Sequence, residues 1–167
     1  MSEIISIDER TQSERQRIGR ILDGKCEEYA WFVNTYSQQV LDFASRMMPN
    51  AEDAKEVAQD AFVKAFRSLA SFGFRSSFCT WLCSIAYHES LNRLKRQQPH
   101  YVDIVDVQVA GGEEDLSTGN EERIALMEDA IDDLPLDERM LLHLYYYEDR
   151  PLREIAYIMD AEPNVLA

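Results

Sequence analysis

Aromatic side chains and cations lie close together in one part of this 167-residue chain. Phe72 and Phe74 stand beside Arg75, and a basic group follows further along the chain, made up of Arg93, Lys95 and Arg96. Aromatic rings can stack on unpaired bases, and cations can follow a phosphate backbone. These residue types indicate a candidate surface for opened nucleic acid.

Periodicity separates the aromatic residues into two groups. Phe78 and Trp81 continue the apolar spacing of a helix that is predicted from about Ser77, which favours positions in the hydrophobic core. Phe72 and Phe74 precede that helix in a loop. The loop residues are therefore the better candidates for contact with an unstacked base.

The net charge of −14 is distributed unevenly along the chain. Residues 1–98 hold 13 basic and 13 acidic side chains, whereas residues 99–167 hold 4 basic and 18 acidic ones. A chain this acidic is a poor candidate for nonspecific binding to nucleic acid or membranes as a whole. Between Lys64 and Arg96, however, six cations accompany one carboxylate, Glu89, which indicates either a basic binding patch or a solvated helix face.

Cys79 and Cys83 are candidate metal ligands. Both carry thiols, and they lie four positions apart on one predicted helix face. His88 could join them in a zinc site, but it lies about 140° around the helix from Cys83, and no fourth ligand recurs at metal spacing. We therefore expect both thiols to be buried as small apolar side chains, and we expect no cofactor.

The sequence predicts a cytoplasmic protein without membrane insertion. No apolar run approaches the roughly 20 residues needed to span a bilayer, and the polar N-terminus lacks the apolar core of a signal peptide. With Cys26 the chain has three cysteines, an odd number that favours reduced thiols.

Apolar residues recur at helical spacing over most of the chain, which predicts an all-α fold. The first twenty residues are weakly periodic and are interpreted as a frayed helix or tail. One amphipathic helix is predicted from Ile21 to Met47, a second from about Ala54 to Leu69 with Asn50 or Asp53 as its cap, and a third from about Ser77 to Gln97.

The C-terminal part is predicted to form a second small lobe. Residues 99–120 combine glycines with carboxylates and show no sustained period, which predicts a flexible acidic linker. Helices are predicted again at Glu121–Asp133, Leu136–Glu148 and Leu152–Met159, before a turn and a new start at Asn164. This is the outline of a helix-turn-helix. The expected architecture is therefore two helical lobes, at 21–98 and 121–167, joined by the linker.

No catalytic constellation can be assembled from the sequence. It contains no glycine-rich phosphate loop and no clustered Ser, His and Asp. A binding protein is therefore favoured over an enzyme, and a helical enzyme with a metal site is an alternative that a metal assay would test.

Three blocks, in the right order and spacing, resemble the extracytoplasmic-function (ECF) sigma factors, the small two-lobed initiation subunits of bacterial RNA polymerase. The resemblance covers about residues 21–167. The first block is DAKEVAQDAFVKAF at 53–66, and the second is FGFRSSFCTWLCSIA at 72–86. The third runs from Leu134-Pro135 through Glu138-Arg139 to Arg153-Glu154-Ile155-Ala156.

The first block resembles the helix with which the family docks on core RNA polymerase. In the family, a polar and acidic stripe on this helix meets a basic coiled coil of the polymerase, and charge complementarity guides docking. The corresponding residues here are Asp53, Glu56, Gln59 and Asp60.

The second block is similar to the segment with which the family recognises and melts the minus-ten promoter element. By this resemblance, the loop captures a non-template base and the following helix contacts the adjacent duplex. The DNA-binding residues that the resemblance implies are Phe72, Phe74, Arg75, Ser76, Ser77, Thr80, Trp81, Tyr87, His88, Asn92, Arg93, Lys95 and Arg96.

The chain also departs from the family pattern. Cys79, Cys83 and Ser84 stand where many relatives carry Lys, Arg or an aromatic residue, and His88 stands where Asn is usual. Each lost cation removes a phosphate contact, which predicts modest and salt-dependent DNA affinity. The sequence ends at Ala167, inside the expected recognition helix, whose first residues read bases in a helix-turn-helix. We therefore expect this chain to lack readout of the minus-thirty-five element.

Two functions compete at this point. The leading hypothesis is a non-catalytic transcription initiation factor that binds core RNA polymerase and promoter DNA, with an inhibitory anti-sigma factor as a further candidate partner. In this hypothesis the acidic linker passes near the nascent-RNA channel. The alternative is a sigma-like helical interaction module that binds polymerase or a regulator without promoter specificity, which the acidic charge and the incomplete recognition helix favour.

Overall fold

The computed structural model describes residues 7–97 and 119–160. These ranges contain seven α-helices: α1 (Ile7–Leu22), α2 (Tyr29–Met47), α3 (Ala51–Arg67), α4 (Phe78–Gln97), α5 (Asn120–Asp132), α6 (Leu136–Leu142) and α7 (Leu152–Met159). Short 3-10 turns at Cys26–Glu28 and Leu69–Ser71 and a π-helical turn at His143–Tyr147 connect them. No strand occurs in these ranges, and the predicted all-α class is confirmed.

The N-terminal helix is packed against the rest of the protein. Ile18 and Ile21 of α1 are buried in the common hydrophobic core. The prediction of one helix from Ile21 to Met47 is wrong, because α1 ends at Leu22 and α2 begins at Tyr29. Gly24 allows this break, since its φ of 107° lies in a region that L side chains rarely adopt.

Helices α2, α3 and α4 pack against one another and form the centre of the core. The apolar face of α3 is largely alanine, with Ala54, Ala61 and Ala65 fully buried, so the neighbouring helices can approach closely. Phe32 of α2 and Phe78 of α4 meet in this centre, with ring centroids 4.4 Å apart. The predicted inward position of Phe78 is confirmed.

Asn50, one of the two predicted caps, is the N-cap residue of α3. Its Oδ1 accepts a hydrogen bond of 2.8 Å from the backbone N–H of Asp53, which satisfies one of the free donors in the first turn. The start of the helix that carries the first sequence block is therefore encoded locally.

The C-terminal helices α6 and α7 join the same hydrophobic core. Met140, Leu144, Ile155 and Ile158 are fully buried, and they belong to one cluster with the apolar residues of α2, α3 and α4. Helix α7 packs mainly on α4. In contrast, α5 contributes no buried side chain.

Several predictions for the C-terminal part fall at the edges of the described ranges. The predicted helix Leu136–Glu148 is α-helical only to Leu142 and then widens into the π-helical turn. The expected linker, apart from its last two residues, and the expected recognition helix lie outside the described residues. Within the described residues, no helix is both long and apolar enough to cross a membrane.

Candidate docking and nucleic-acid surfaces

The outer face of α3 carries the polar and acidic residues that are predicted to dock on the polymerase. Glu56, Gln59 and Asp60 are exposed, whereas Asp53 is half-buried. Val63 lies on the same face and leaves 49% of its surface exposed. The face therefore combines carboxylates with an apolar side chain that is about half exposed.

Arg93 connects α4 to this acidic face. Its Nε donates to Asp53 Oδ1 at 3.2 Å, and its Nη2 pairs with Glu56. The Gln97 amide also donates to Asp53, at 3.2 Å. These hydrogen bonds, first that of Gln97, hold the pKa of Asp53 below its usual value. The guanidinium of Arg93, a predicted DNA contact, is therefore already engaged by predicted docking residues.

The predicted basic patch is smaller than the sequence count indicates. Besides Arg93, Lys64 is paired with Glu89 across α3 and α4. No ion pair within the described ranges involves the remaining cations of the patch, which are Arg67, Arg75, Lys95 and Arg96. In the described part of the chain, these four side chains carry the positive charge of the patch that is not used in an ion pair.

The loop before α4 places its two phenylalanines differently. Phe72 is buried, and its ring centroid lies 4.6 Å from that of Phe74 and 4.8 Å from that of Trp81. Phe74 is 38% exposed. Arg15 of α1 covers one side of the Phe74 ring, with its Cζ 4.5 Å from the ring centroid.

The backbone of Phe74 is strained. Its φ of 55° lies in the left-handed region, where a bulky side chain is an outlier. Such residues persist only where the surroundings impose the conformation, and they cluster at functional sites. Here the neighbouring rings and Arg15 hold the side chain, and Arg75 beside it is exposed.

The serines that follow the loop contribute to the start of α4. Ser77 Oγ accepts from the Thr80 backbone N–H at 3.2 Å and donates to Thr80 Oγ1 at 2.9 Å. Thr80 itself is buried and also accepts from Arg150 Nη1 at 3.2 Å. Ser76 is half-buried, and its hydroxyl donates to the Ser77 carbonyl at 3.1 Å. Among these predicted DNA residues, Thr80 has a structural contact instead of a free surface.

One face of α4 carries exposed polar residues. His88, Asn92, Lys95 and Arg96 are exposed, whereas Trp81 is half-buried. The remaining predicted contact on this helix, Tyr87, is only 6% exposed, and burial raises the pKa of its hydroxyl. The structure thus brings the polar candidates together and places Tyr87 in the core.

Helix α7 lies beside the N-terminal half of this face. A cleft of about 500 Å³ is lined by Trp81, Ser84 and His88 from α4 and by side chains of α7 that include Arg153 and Tyr157. Trp81 therefore borders both the polar face of α4 and helix α7.

Three residues with a role in these surfaces were not found from the sequence. Arg15 and Arg150 contact candidate residues only because distant parts of the chain pack together, whereas Val63 flanks Gln59 and Asp60 on the same helix. Val63 alone had a local signal, since it falls among the polar positions of an otherwise regular amphipathic pattern.

The described residues contain no group of three or more His, Cys, Asp or Glu side chains arranged to hold a metal ion.

These helices form a recognised class of domain. The family described as sigma-70 region 2 matches residues 32–100, which include α3, the loop and α4. The ECF RNA polymerase sigma-E factor of Escherichia coli K12 is 32% identical over 157 residues, which cover 86% of this chain and 81% of that protein. The chain belongs to the ECF family of RNA polymerase sigma factors.

Other relatives agree with this assignment. The RNA polymerase sigma-H factor of Pseudomonas aeruginosa is 29% identical over 160 residues, or 89% of this chain and 83% of the relative. The ECF sigma factor SigW of Bacillus subtilis is 31% identical over 99 residues, and this match spans about half of SigW, 52%. The solved structure of CnrH in complex with the cytosolic domain of CnrY has the same fold, with a TM-score of 0.61 at 16% identity over 91% of this chain and 86% of that one.

Proposed function

We propose that this protein is an initiation subunit of bacterial RNA polymerase that docks through α3 and recognises the minus-ten element through the 72–77 loop and α4. Membership of the ECF sigma family supports this function, and in this proposal the protein regulates transcription without catalysing a reaction itself. The site of action would be the cytoplasm, where transcription takes place.

The observation that carries the docking proposal is the composition of the outer face of α3. Val63 is 49% exposed among Glu56, Gln59 and Asp60. Interfaces combine an apolar centre with a polar rim, and acidic groups at the rim can steer association with a basic partner. We assign Arg93 a positioning role in this proposal, because it is paired with Glu56 and Asp53 across α3 and α4.

The promoter proposal rests on Phe74 and on the cations that have no ion pair within the described residues. Phe74 presents a ring that is 38% exposed in a strained loop, with Arg15 over one side of it and Arg75 next to it in the chain. A base that leaves the duplex could stack on this ring, while Lys95 and Arg96 lie exposed on α4 to contact phosphates.

The docking experiment uses variants that do not disturb the Arg93 pairs. Asp60→Arg combined with Val63→Arg should reduce co-purification with core RNA polymerase at least tenfold, because repulsion replaces attraction at a face that also loses apolar contact. Asp42→Arg is the matched control, since Asp42 is an exposed carboxylate on α2. Retention of wild-type binding by the double variant, with normal circular dichroism, would remove α3 from the interface.

The promoter experiment measures promoter opening by reconstituted polymerase over a series of salt concentrations. Arg75→Ala and Arg96→Ala should each lower the salt slope by about one, as expected for a lost phosphate contact. Phe74→Ala should weaken opening by about 1–3 kcal/mol without a change in slope, as expected for lost stacking. The response should follow changes in the minus-ten element, and equal effects of all three variants on the salt slope would contradict the assigned roles.

One observation supports the alternative function of a protein-interaction module. Ile124, Leu126 and Met127 of α5 are each about half exposed, at 45%, 48% and 52%. Several apolar side chains exposed on one short helix are typical of a protein-binding surface. Polymerase binding without promoter opening, in correctly folded protein, would favour this function.

A further inference from the structure

The two cysteines of α4 form a thiol pair that promoter recognition does not use. Cys83 is only 1% exposed, whereas Cys79, one turn earlier, is half-buried. The Cys79 thiol donates to the side-chain oxygen Oε1 of Gln39 at 2.9 Å. The pair therefore lies at the boundary between the core and the surface, with one sulfur accessible to a small ion.

A cation from the C-terminal part of the chain stands beside the pair. Arg150 donates to Thr80, the residue that follows Cys79, at 3.2 Å, and it is held by Glu148 at 2.7 Å and by Glu154 at 3.5 Å. A positive charge placed beside the pair in this way can stabilise negative charge on the sulfurs.

The distance between the two cysteines limits the kinds of bond and metal site that they can form. Side chains at i and i+4 of a helix have Cβ atoms about 5–6 Å apart, while a disulfide requires about 3.5–4.5 Å. Structural zinc requires four ligands, and the described residues around the pair contain no cluster of even three. Neither a disulfide nor zinc therefore fits an undistorted α4.

A soft ion with two ligands fits this spacing. Two sulfurs on opposite sides of an ion, each at a bond length of about 2.3 Å, stand roughly 4–5 Å apart. Side chains that start about 5–6 Å apart on one face of a helix can reach this separation without unwinding. Thiolates select soft ions, of which Cu(I) accepts linear coordination by two sulfurs.

We propose that Cys79 and Cys83 form a two-thiolate site for a soft monovalent cation of the Cu(I) class. Binding joins the ion to both sulfurs and releases the thiol protons to water, with no change of oxidation state. The resulting bis-thiolate complex carries one negative charge, which the adjacent guanidinium of Arg150 offsets. Because Arg150 precedes α7, the bound ion would also link α4 to the C-terminal helices.

The experiment is an anaerobic titration of the full chain with Cu(I), in competition with the chromophoric chelator bicinchoninate. Wild-type protein should bind one Cu(I) per chain, and Cys79→Ser should weaken binding at least tenfold. The matched control is Cys26→Ser, because Cys26 is an exposed cysteine outside the pair and its loss should change nothing. Arg150→Gln should keep the stoichiometry of one and lower the affinity.

A second measurement uses only the wild-type protein, so that it does not depend on any substitution in the core. In wild-type protein, one equivalent of Cu(I) should block alkylation of Cys79 and Cys83 but not of Cys26, as read by peptide mass spectrometry. X-ray absorption should give two sulfur ligands. The proposal is overturned if the wild-type chain does not compete with the chelator, if Cys79→Ser binds as wild type does, or if Cys26→Ser removes the bound ion.

Discussion

The docking of α7 on α4 can be tested with one substitution, Ile155→Ala. Ile155 and Ile158 are the fully buried isoleucines of this eight-residue helix, and burial of two such side chains contributes roughly 3–6 kcal/mol. Truncation of a buried isoleucine to alanine costs about 2–5 kcal/mol. The substitution therefore removes a large part of the apolar contribution of these two side chains, and we expect α7 to detach locally more often while α2, α3 and α4 stay folded.

Hydrogen exchange followed by mass spectrometry would measure this detachment. Amides of α7 should exchange about 30-fold to several thousand-fold faster in Ile155→Ala, the factor that corresponds to about 2–5 kcal/mol. Amides of α3 should keep their protection. Tyr146→Ala is the control, because Tyr146 is 72% exposed and packs little. Equal loss of protection in α7 and α3, or no change in α7, would refute the argument that α7 is held mainly by its two isoleucines.

Three further predictions concern the cap of α7 and two carboxyl groups. Asp160 ends α7 with φ of 52°, so Asp160→Gly should stabilise the helix by about 1 kcal/mol, measured as slower exchange of the α7 amides. Burial raises the pKa of Glu14, which accepts from the hydroxyl of Tyr36. The folded state then holds the proton of the Glu14 carboxyl more tightly than the unfolded chain does, and stability is lost as the pH rises through the folded pKa. In urea, Glu14→Gln should therefore be more stable than wild type at pH 7 and similar to it at about pH 4. Gln97→Ala should raise the pKa of Asp53 toward its usual value, because the hydrogen bond from the Gln97 amide is the largest cause of its lowering. An NMR titration of the carboxyl resonances measures this change, and an unchanged pKa of Asp53 would contradict the prediction.

Local sequence determines the positions of most helices in this protein. The cap at Asn50, the proline at 151 and the apolar spacing of α3 and α4 act within one or two helical turns, so the bounds observed for these helices lie close to the predicted ones. The break between α1 and α2 was missed, because apolar residues on both sides of Gly24 keep a helical period although the backbone there adopts a positive φ. Periodicity reports which side chains are buried, and a turn between two packed helices can preserve it.

The sequence also shows which residues belong to the motifs, but the tertiary structure decides whether their charges are paired and whether their side chains are buried. Asp53, Glu56 and Arg93 are visible in the sequence as acidic and basic members of separate motifs, and only the packing of α3 on α4 pairs them. In the same way, Phe72 and Phe74 are equivalent aromatic loop residues in the sequence, yet packing buries one and leaves the other exposed beside Arg15. Charge pairing and burial depend on contacts between residues far apart in the chain, and no local pattern encodes them.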